Sequence, residues 1–279
     1  MTTLENAKSR SVTGVTGADL VFRSLDQIVE RIHQHVSEPL FSRDLARRRD
    51  TAPTFALPDE HILKRMIILI AFSQQVQSRS IVKMIEDGVF ERVFASFLPA
   101  EVAKLDPSGL RREYWNNLAA LRFPRKLVSM VDCATVLLTI AAQHGSFMRF
   151  LEAQRFPVRI RSQEDLRQFW QAFDVTRSYF KRINLPFFKD FTTLCHLLQD
   201  LGFDCAKPDS IVMSTAHRVG IVVATQHTQN DRRKVVQTMQ RYSAYRGIPT
   251  PVVDLYFLIC GGQTDARKFV TPAYYTLTQ

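Results

Sequence analysis

Residues 185–209 hold the side chains whose order points to a chemistry. Leu185-Pro186-Phe187-Phe188-Lys189-Asp190 is a proline-led turn, and Phe191-Thr192-Thr193 opens an apolar helix that stops at Gly202. Pro208 then leads into Asp209, a lone carboxylate at the head of the next apolar segment, Ser210-Ile211-Val212. A turn feeding a helix can grip a nucleic-acid backbone, because amides at a helix start suit a phosphate. One acid at the start of the following helix can then face a nucleotide swung out of its stack. Cleaving a glycosidic bond develops positive charge on the sugar, and one ionised carboxylate stabilises that charge and orients or deprotonates water. A helix N-terminus favours the charged form of such a carboxylate. An Asp before a helix is ordinarily just its cap, and on these residues alone that is the first reading of Asp209.

The elements that must position these groups read as helical nearly throughout. Leu20, Val21, Leu25, Ile28, Val29, Ile32 and Val36 recur at helix spacing. Residues 39–58, between two prolines, break that pattern and contain Arg43-Asp44-Leu45-Ala46-Arg47-Arg48-Arg49, a basic cluster expected on a solvated surface segment. Pro58 suits the first turn of a helix running to about Gln75. Further helices are predicted near 78–87, 89–97, 109–121, 124–143 and 146–155. Others follow near 162–173, 175–184, 191–202, 209–219, 230–246 and 250–261. Ser162-Gln163-Glu164-Asp165 has the spacing of a helix start. Residues 220–225 are the one β-branched run, too little for a sheet, and read as extended or as helical continuation.

The bulk numbers bound the partners. The chain has 279 residues, 46% of them hydrophobic, which suits one large domain or two intimate lobes. Its formal charge of +10 points to nucleic acid, or less often an anionic membrane surface, though many proteins are basic without a specific anionic partner. The four cysteines (133, 195, 205 and 260) form no CxxC pair, so free thiols in a reducing compartment are expected rather than a zinc site. No apolar run looks long enough to span a membrane, and 67–72 is short and flanked by polar residues. Residues 1–17 read as a flexible polar tail without a secretory signal. A Gly-rich phosphate loop, HExxH and GxSxG are all absent, and His33 and His35 fall on different helix faces, a poor metal site.

From about residue 60 to 262 the chain resembles the helix-hairpin-helix DNA glycosylase superfamily. The family pattern is Leu-Pro-Gly-apolar-Gly, then a helix opening near Thr-Ala, then an Asp about eighteen residues past the residue before that Thr. Here Leu185-Pro186 matches the start, Thr192-Thr193 falls at Thr-Ala, and Asp209 lies eighteen residues after Phe191. Leu69-Ile70-Ala71-Phe72-Ser73-Gln74-Gln75 resembles the family's early helix, which ends at the DNA. Residues 121–126 sit where the family has a loop and a basic helix start, and 254–262 resemble its last packing helix. The resemblance implies an all-α, two-lobed fold with a helix-hairpin-helix element and a cleft between lobes. One lobe would comprise 18–75 with 210–279, the other 76–209 including the hairpin at 185–193.

It also implies roles. Asp209 would be the catalytic acid. Lys189, Thr192, Thr193, Lys181, Arg182, Arg122, Arg125 and Lys126 would hold the DNA backbone. Gln75, with Gln74 beside it, would fill the gap left by the flipped base, and Tyr114, Trp115 and Asn116 would form the base pocket, with Trp170 and Asn117 as further candidates. Each of these residues alone reads as an ordinary surface charge, helix end or core aromatic. His217, two turns after Asp209, reads as a core or supporting histidine. The chain departs from the family at both hairpin glycines, now Phe187 and Lys189, and at the lyase lysine, now Phe191. A bifunctional member uses that amine for a Schiff base; Lys189 is the one alternative amine nearby.

The activity expected is therefore that of a monofunctional DNA N-glycosylase acting in base excision repair on double-stranded DNA carrying a damaged or modified base, and leaving an abasic site. No metal, iron–sulfur cluster or organic cofactor is expected, nor a membrane partner. A cytoplasmic monomer is expected, nucleoid-associated if prokaryotic. Three alternatives stay open: excision of a bulky hypermodified base in antiviral defence, a non-catalytic DNA binder on the same scaffold, and a helical protein-interaction module.

Overall fold

A computed structural model of the chain describes residues 17–74, 76–223 and 228–276. Among these residues the protein is all-α, with no strand. The first helices are α1 (Gly17–Gln34), α2 (Leu40–Asp50), α3 (Asp59–Ala71), α4 (Ser78–Glu86), α5 (Val89–Val93) and α6 (Pro99–Val102). Then come α7 (Pro107–Leu118), α8 (Arg125–His144), α9 (Phe147–Ala153), α10 (Gln163–Arg182) and α11 (Phe191–Asp200). The last are α12 (Ser210–Arg218), α13 (Gln229–Arg246), α14 (Thr250–Cys260) and α15 (Pro272–Thr276). The expected N-terminal tail lies outside the described residues except Gly17, which opens α1.

Local chemistry explains most helix starts. Asp106 accepts the amides of Ser108 and Gly109 ahead of α7, with Pro107 in its first turn. Ser162 accepts the amide of Asp165, as its spacing predicts. Thr228 and Asp231 form a reciprocal capping box on α13. Two expectations fail. The helices predicted at 162–173 and 175–184 are one, because Phe173-Asp174-Val175 contains no residue that stops a helix. The basic run 43–49 lies in a helix, α2, rather than an irregular segment. Only Phe41 of α2 is buried, so the helix shows no apolar period; Asp44 holds it by pairing with Arg47 and Arg48 one turn on.

The buried apolar residues fall in two clusters. The first runs from Ile62 to Cys205 and adds Val236; α8 lies in it beside α3, α6, α7 and α9. By length and composition α8 could cross a membrane, unlike the expectation for this chain, and its inward face is packed in that cluster. The second cluster joins Leu25–Phe41 positions of α1 and α2 to residues from Ala206 to Tyr274. The clusters divide along the chain between Phe41 and Ile62 and again between Cys205 and Ala206. That places α3 with the first cluster, whereas a boundary at 75 would have put it with the second.

A polar knot ties the clusters where they meet. Asp204, buried, accepts the amide of Ile160 at 2.8 Å and that of Thr250 at 2.6 Å. Its own carbonyl accepts Gln240 Nε2, and Gln240 Oε1 accepts Trp170 Nε1 at 2.9 Å. Gly202 allows a second tie. It sits at φ +93°, and a Cβ there would lie 2.5 Å from the carbonyl carbon of Ala52. Arg159 reinforces this approach by donating to the carbonyls of Arg49 and Thr51. Together they fix the end of α2 against the end of α11. Gly202→Ala should therefore lose about 2–4 kcal/mol from backbone strain and overpacking. Urea unfolding checks this, and a loss below about 1 kcal/mol would show that the contact yields freely.

Candidate active cleft

The turn after α10 brings the chain back on itself within eight residues. Leu185 N donates to Phe180 O, Lys189 N to Leu185 O and Asp190 N to Phe187 O. Phe187 adopts φ +68°, the left-handed geometry for which the family pattern uses glycine. The cost of that geometry, roughly 1–2 kcal/mol, falls on a residue that packs against the first cluster beside the fully buried Phe188. Lys189, at the other glycine position, has no such conformation. Its Nζ donates to Asn184 Oδ1 at 2.6 Å. Thr193 Oγ1 donates inward to Phe187 O and Asp190 O, and Thr192 Oγ1 is buried without a partner.

α11 carries the chain from this turn for about 15 Å at the usual helical rise. His196, Gln199 and Asp200 of α11 then line a cavity of about 530 Å³. Asp209 lies on the same wall. Its Oδ1 caps α12 by accepting Ile211 N at 3.0 Å and Val212 N at 3.1 Å, and its Oδ2 lies 3.7 Å from Lys207 Nζ. The side chain is 29% exposed, so the acid is capping and reachable at once. Phe72 and the imidazole of His196 are the aromatic groups on the wall among the described residues.

The cavity carries as many acids as bases. Arg47 and Arg48 of α2, Arg65 of α3 and Lys207 face Asp200, Asp209, Asp254 and Asp265. Arg65 pairs with Asp200 at 2.9 Å. Arg48 is held by Asp44 at 2.8 Å, Asp254 at 3.2 Å and the Pro251 carbonyl at 3.1 Å. Burial, with Lys207 and Arg48 close by, lowers the His196 pKa to about 3, so its imidazole is neutral at physiological pH. Asp254 is 3% exposed; its Oδ2 accepts Arg48 and Gln199, and burial, with the charge of Asp209, pushes its pKa up against their pull. No group of three or more His, Cys, Asp and Glu side chains could hold a metal ion among the described residues.

The other residues singled out from sequence disperse. Lys181 and Arg182 are exposed at the end of α10, where Arg182 stacks over Tyr179 at 5.1 Å. Arg122 and Arg125 are exposed on either side of Phe123. Gln74 is exposed at φ +59°, and Gln75 lies outside the described residues. Tyr114 and Trp115 pack half-buried on the first cluster and Asn116 is exposed; none of the three lines the cavity with Asp209. Trp170 is buried, stacked on Phe191, and offers no face to a base. His217 is exposed and bonds the Val223 carbonyl, so it is not a core residue.

Lys126 is the clearest correction. It is 1% exposed, and its Nζ donates to the carbonyls of Ala71 at 3.1 Å and Ser73 at 2.7 Å, closing the end of α3. Burial, with Arg122 and Arg125 nearby, lowers its pKa to about 8. It cannot reach a phosphate. Lys126→Met should cost about 1–3 kcal/mol of stability by stranding those carbonyls, without changing the slope of log DNA affinity against log salt. Arg125→Met is the contrasting variant; if Arg125 meets a phosphate, the slope should shrink by about 0.9. A reduced slope for Lys126→Met would show that the lysine swings out.

Sequence reasoning missed Arg48, His196, Gln199 and Asp254 as lining residues. A signal existed for two of them. Asp254 is a lone charge inside the apolar run Val252-Val253-Asp254-Leu255, and Arg48 stands four residues after Asp44 on what is a helix face. Comparison with known proteins gives no match, whether to a family model, a curated protein or a solved structure.

Proposed function

We propose that the protein is a monofunctional DNA N-glycosylase, hydrolysing the bond between a damaged or modified base and its deoxyribose and leaving an abasic site. The observation that carries this reading is the placement of Asp209. It caps α12, stays reachable, and lines a cavity of about 530 Å³ bordered by both basic and acidic side chains, just past a helix that follows a tight turn. In this reading the two apolar clusters are two lobes and the cavity is the cleft between them, since α2 and α14 contribute from one and α3 and α11 from the other. The turn between α10 and α11 is the DNA-gripping hairpin, reshaped by Phe187.

The chemistry follows from the charges. A sugar losing its base becomes cationic at C1′, and a carboxylate held still by two amides stabilises that cation without having to reorganise. Phe191, at the family's lyase-lysine position, is buried and offers no amine. Extrusion of the nucleotide costs a few kcal/mol, which the basic residues around the cleft must offset through backbone contacts.

One observation favours a second reading. Lys207 Nζ lines the same cavity beside Asp209, so an amine is available after all, and a bifunctional enzyme would use it to form a Schiff base. Strand analysis separates the two. Duplexes carrying single lesions are incubated with enzyme and resolved with and without hot alkali. Breaks that need alkali support the monofunctional enzyme. Breaks without alkali, together with a borohydride-trapped adduct lost in Lys207→Met, support the second reading. Intact strands under both treatments across the panel refute both.

A further inference from the structure

Asp254 is the buried group in the cleft that capping and ion pairing leave incompletely explained. It projects from α14 among buried apolar neighbours, Val252, Val253 and Leu255. Oδ2 accepts Arg48 Nη1 at 3.2 Å and Gln199 Nε2 at 2.8 Å, while Oδ1 is buried without any partner. An unpaired buried oxygen is costly on a carboxylate and far less so on a neutral acid. The charges facing it are Arg48 from α2 and Asp209 ahead of α12, and the polar Gln199 comes from α11. Arg48 is shared with Asp44, which accepts its Nε at 2.8 Å, so its charge is not spent on Asp254 alone. Beyond these, Lys207 pairs with Asp209 and His196 is neutral.

Two acids in one cavity, one bound by helix amides and reachable, the other dry and short of partners, divide the labour of glycoside cleavage. Resting on the glycosylase reading, we propose that Asp254 is the general acid of the cleft and that the substrate is a base that is neutral in DNA, not one carrying a fixed positive charge. Asp254 lines the cavity though barely exposed, so the base must seat against it before its proton passes to a ring nitrogen or carbonyl oxygen of the base as the C1′–N bond breaks. The bonding pair leaves with the base, and the cation at C1′ faces Asp209. Water adds to C1′, and its proton returns to Asp254. The base departs neutral and the acid is restored. An alkylated base that already bears a positive charge needs no such proton, so its release does not call on Asp254.

The test compares wild type and Asp254→Asn in single-turnover release. The probes are duplexes with one 7-methylguanine, which is cationic, and duplexes with one neutral base: hypoxanthine, uracil or 5-hydroxymethyluracil. Wild type should release at least one neutral base, and the variant should slow that release by about 100-fold or more while changing 7-methylguanine release by less than about threefold. Equal slowing of both kinds, no slowing of the neutral base, or wild-type action on 7-methylguanine alone would overturn the proposal. Should Asp254→Asn fail to fold, the wild-type pH profile decides. The neutral base should be released more slowly as pH rises through a carboxyl ionisation, and a flat profile would overturn the proposal. Wild type that releases none of these bases overturns this inference; the glycosylase reading itself falls only if a panel that adds oxidised and hypermodified bases also yields no free base, and the other failures leave that reading standing.

Discussion

Asp209→Asn is expected to abolish base release while leaving the fold and DNA affinity in place. Asn caps a helix about as well as Asp, because its carbonyl oxygen accepts the same amides, here those of Ile211 and Val212. The substitution therefore removes a charge without unseating α12. Removing one preorganised electrostatic partner of a transition state typically costs about 10²–10³ in rate, and a loss of at least that size is expected here. Affinity for duplex DNA should hold or rise slightly, since one negative charge leaves a basic protein and Lys207 loses its partner. Single-turnover rates and fluorescence anisotropy on the same duplex give both quantities. A variant that releases base within about threefold of wild type would remove Asp209 from the chemistry. A variant that loses binding and activity together would make it a structural cap alone.

Asp204→Ala should give the largest loss of stability. The substitution strands the amides of Ile160 and Thr250 in a dry seam, and each buried donor without a partner costs about 1–3 kcal/mol, so about 2–6 kcal/mol is expected. Urea unfolding should show a lower midpoint at an unchanged slope. Asp204→Asn keeps an acceptor and should lose clearly less. Burial raises the Asp204 pKa despite its two amide bonds, so holding the charge costs the fold something. The sign follows: between the unfolded and the higher folded value the native state binds more protons, and this group's contribution is lost as pH rises through that window. In Asp204→Asn the corresponding slope should vanish. A loss under about 1 kcal/mol for Asp204→Ala would mean that water replaces the carboxylate and that the two clusters are not tied here.

The helices were legible where their chemistry is local. Ser162 announces α10 through a spacing that a helix start alone requires, and α8, α11 and α14 follow from runs of apolar residues with too few breakers to stop them. α2 was hidden because periodicity reads burial, and this helix buries one side chain. Its order comes from Asp44 bridging two arginines and from Arg159 and Gly202 holding its far end. Asp209's place as the cap of α12 was legible because an Asp directly before an apolar helical run is the ordinary helix start. Its neighbours were not. Arg48 and Asp254 are 206 residues apart and meet only through tertiary packing. Packing also decides Trp170 and Lys126. Trp170 takes the core place that an aromatic at helical spacing usually takes, with Gln240 accepting its indole N–H, while Lys126, a surface charge by default, is drawn inside by two backbone carbonyls. Residue type gives the chemistry a side chain can do, and burial decides whether it is free to do it.

The most direct measurement is mass analysis of small molecules released when wild-type protein is incubated with duplexes that each carry one damaged or modified base. The panel spans alkylated, deaminated, oxidised and hypermodified bases, with Asp209→Asn run in parallel. The expected result is one free base, of the mass of the intact base, appearing with wild type and missing with the variant, and an equal yield of abasic strand. No free base from any duplex, or the same base from both proteins, would contradict the assignment of Asp209 as the acid that breaks the glycosidic bond.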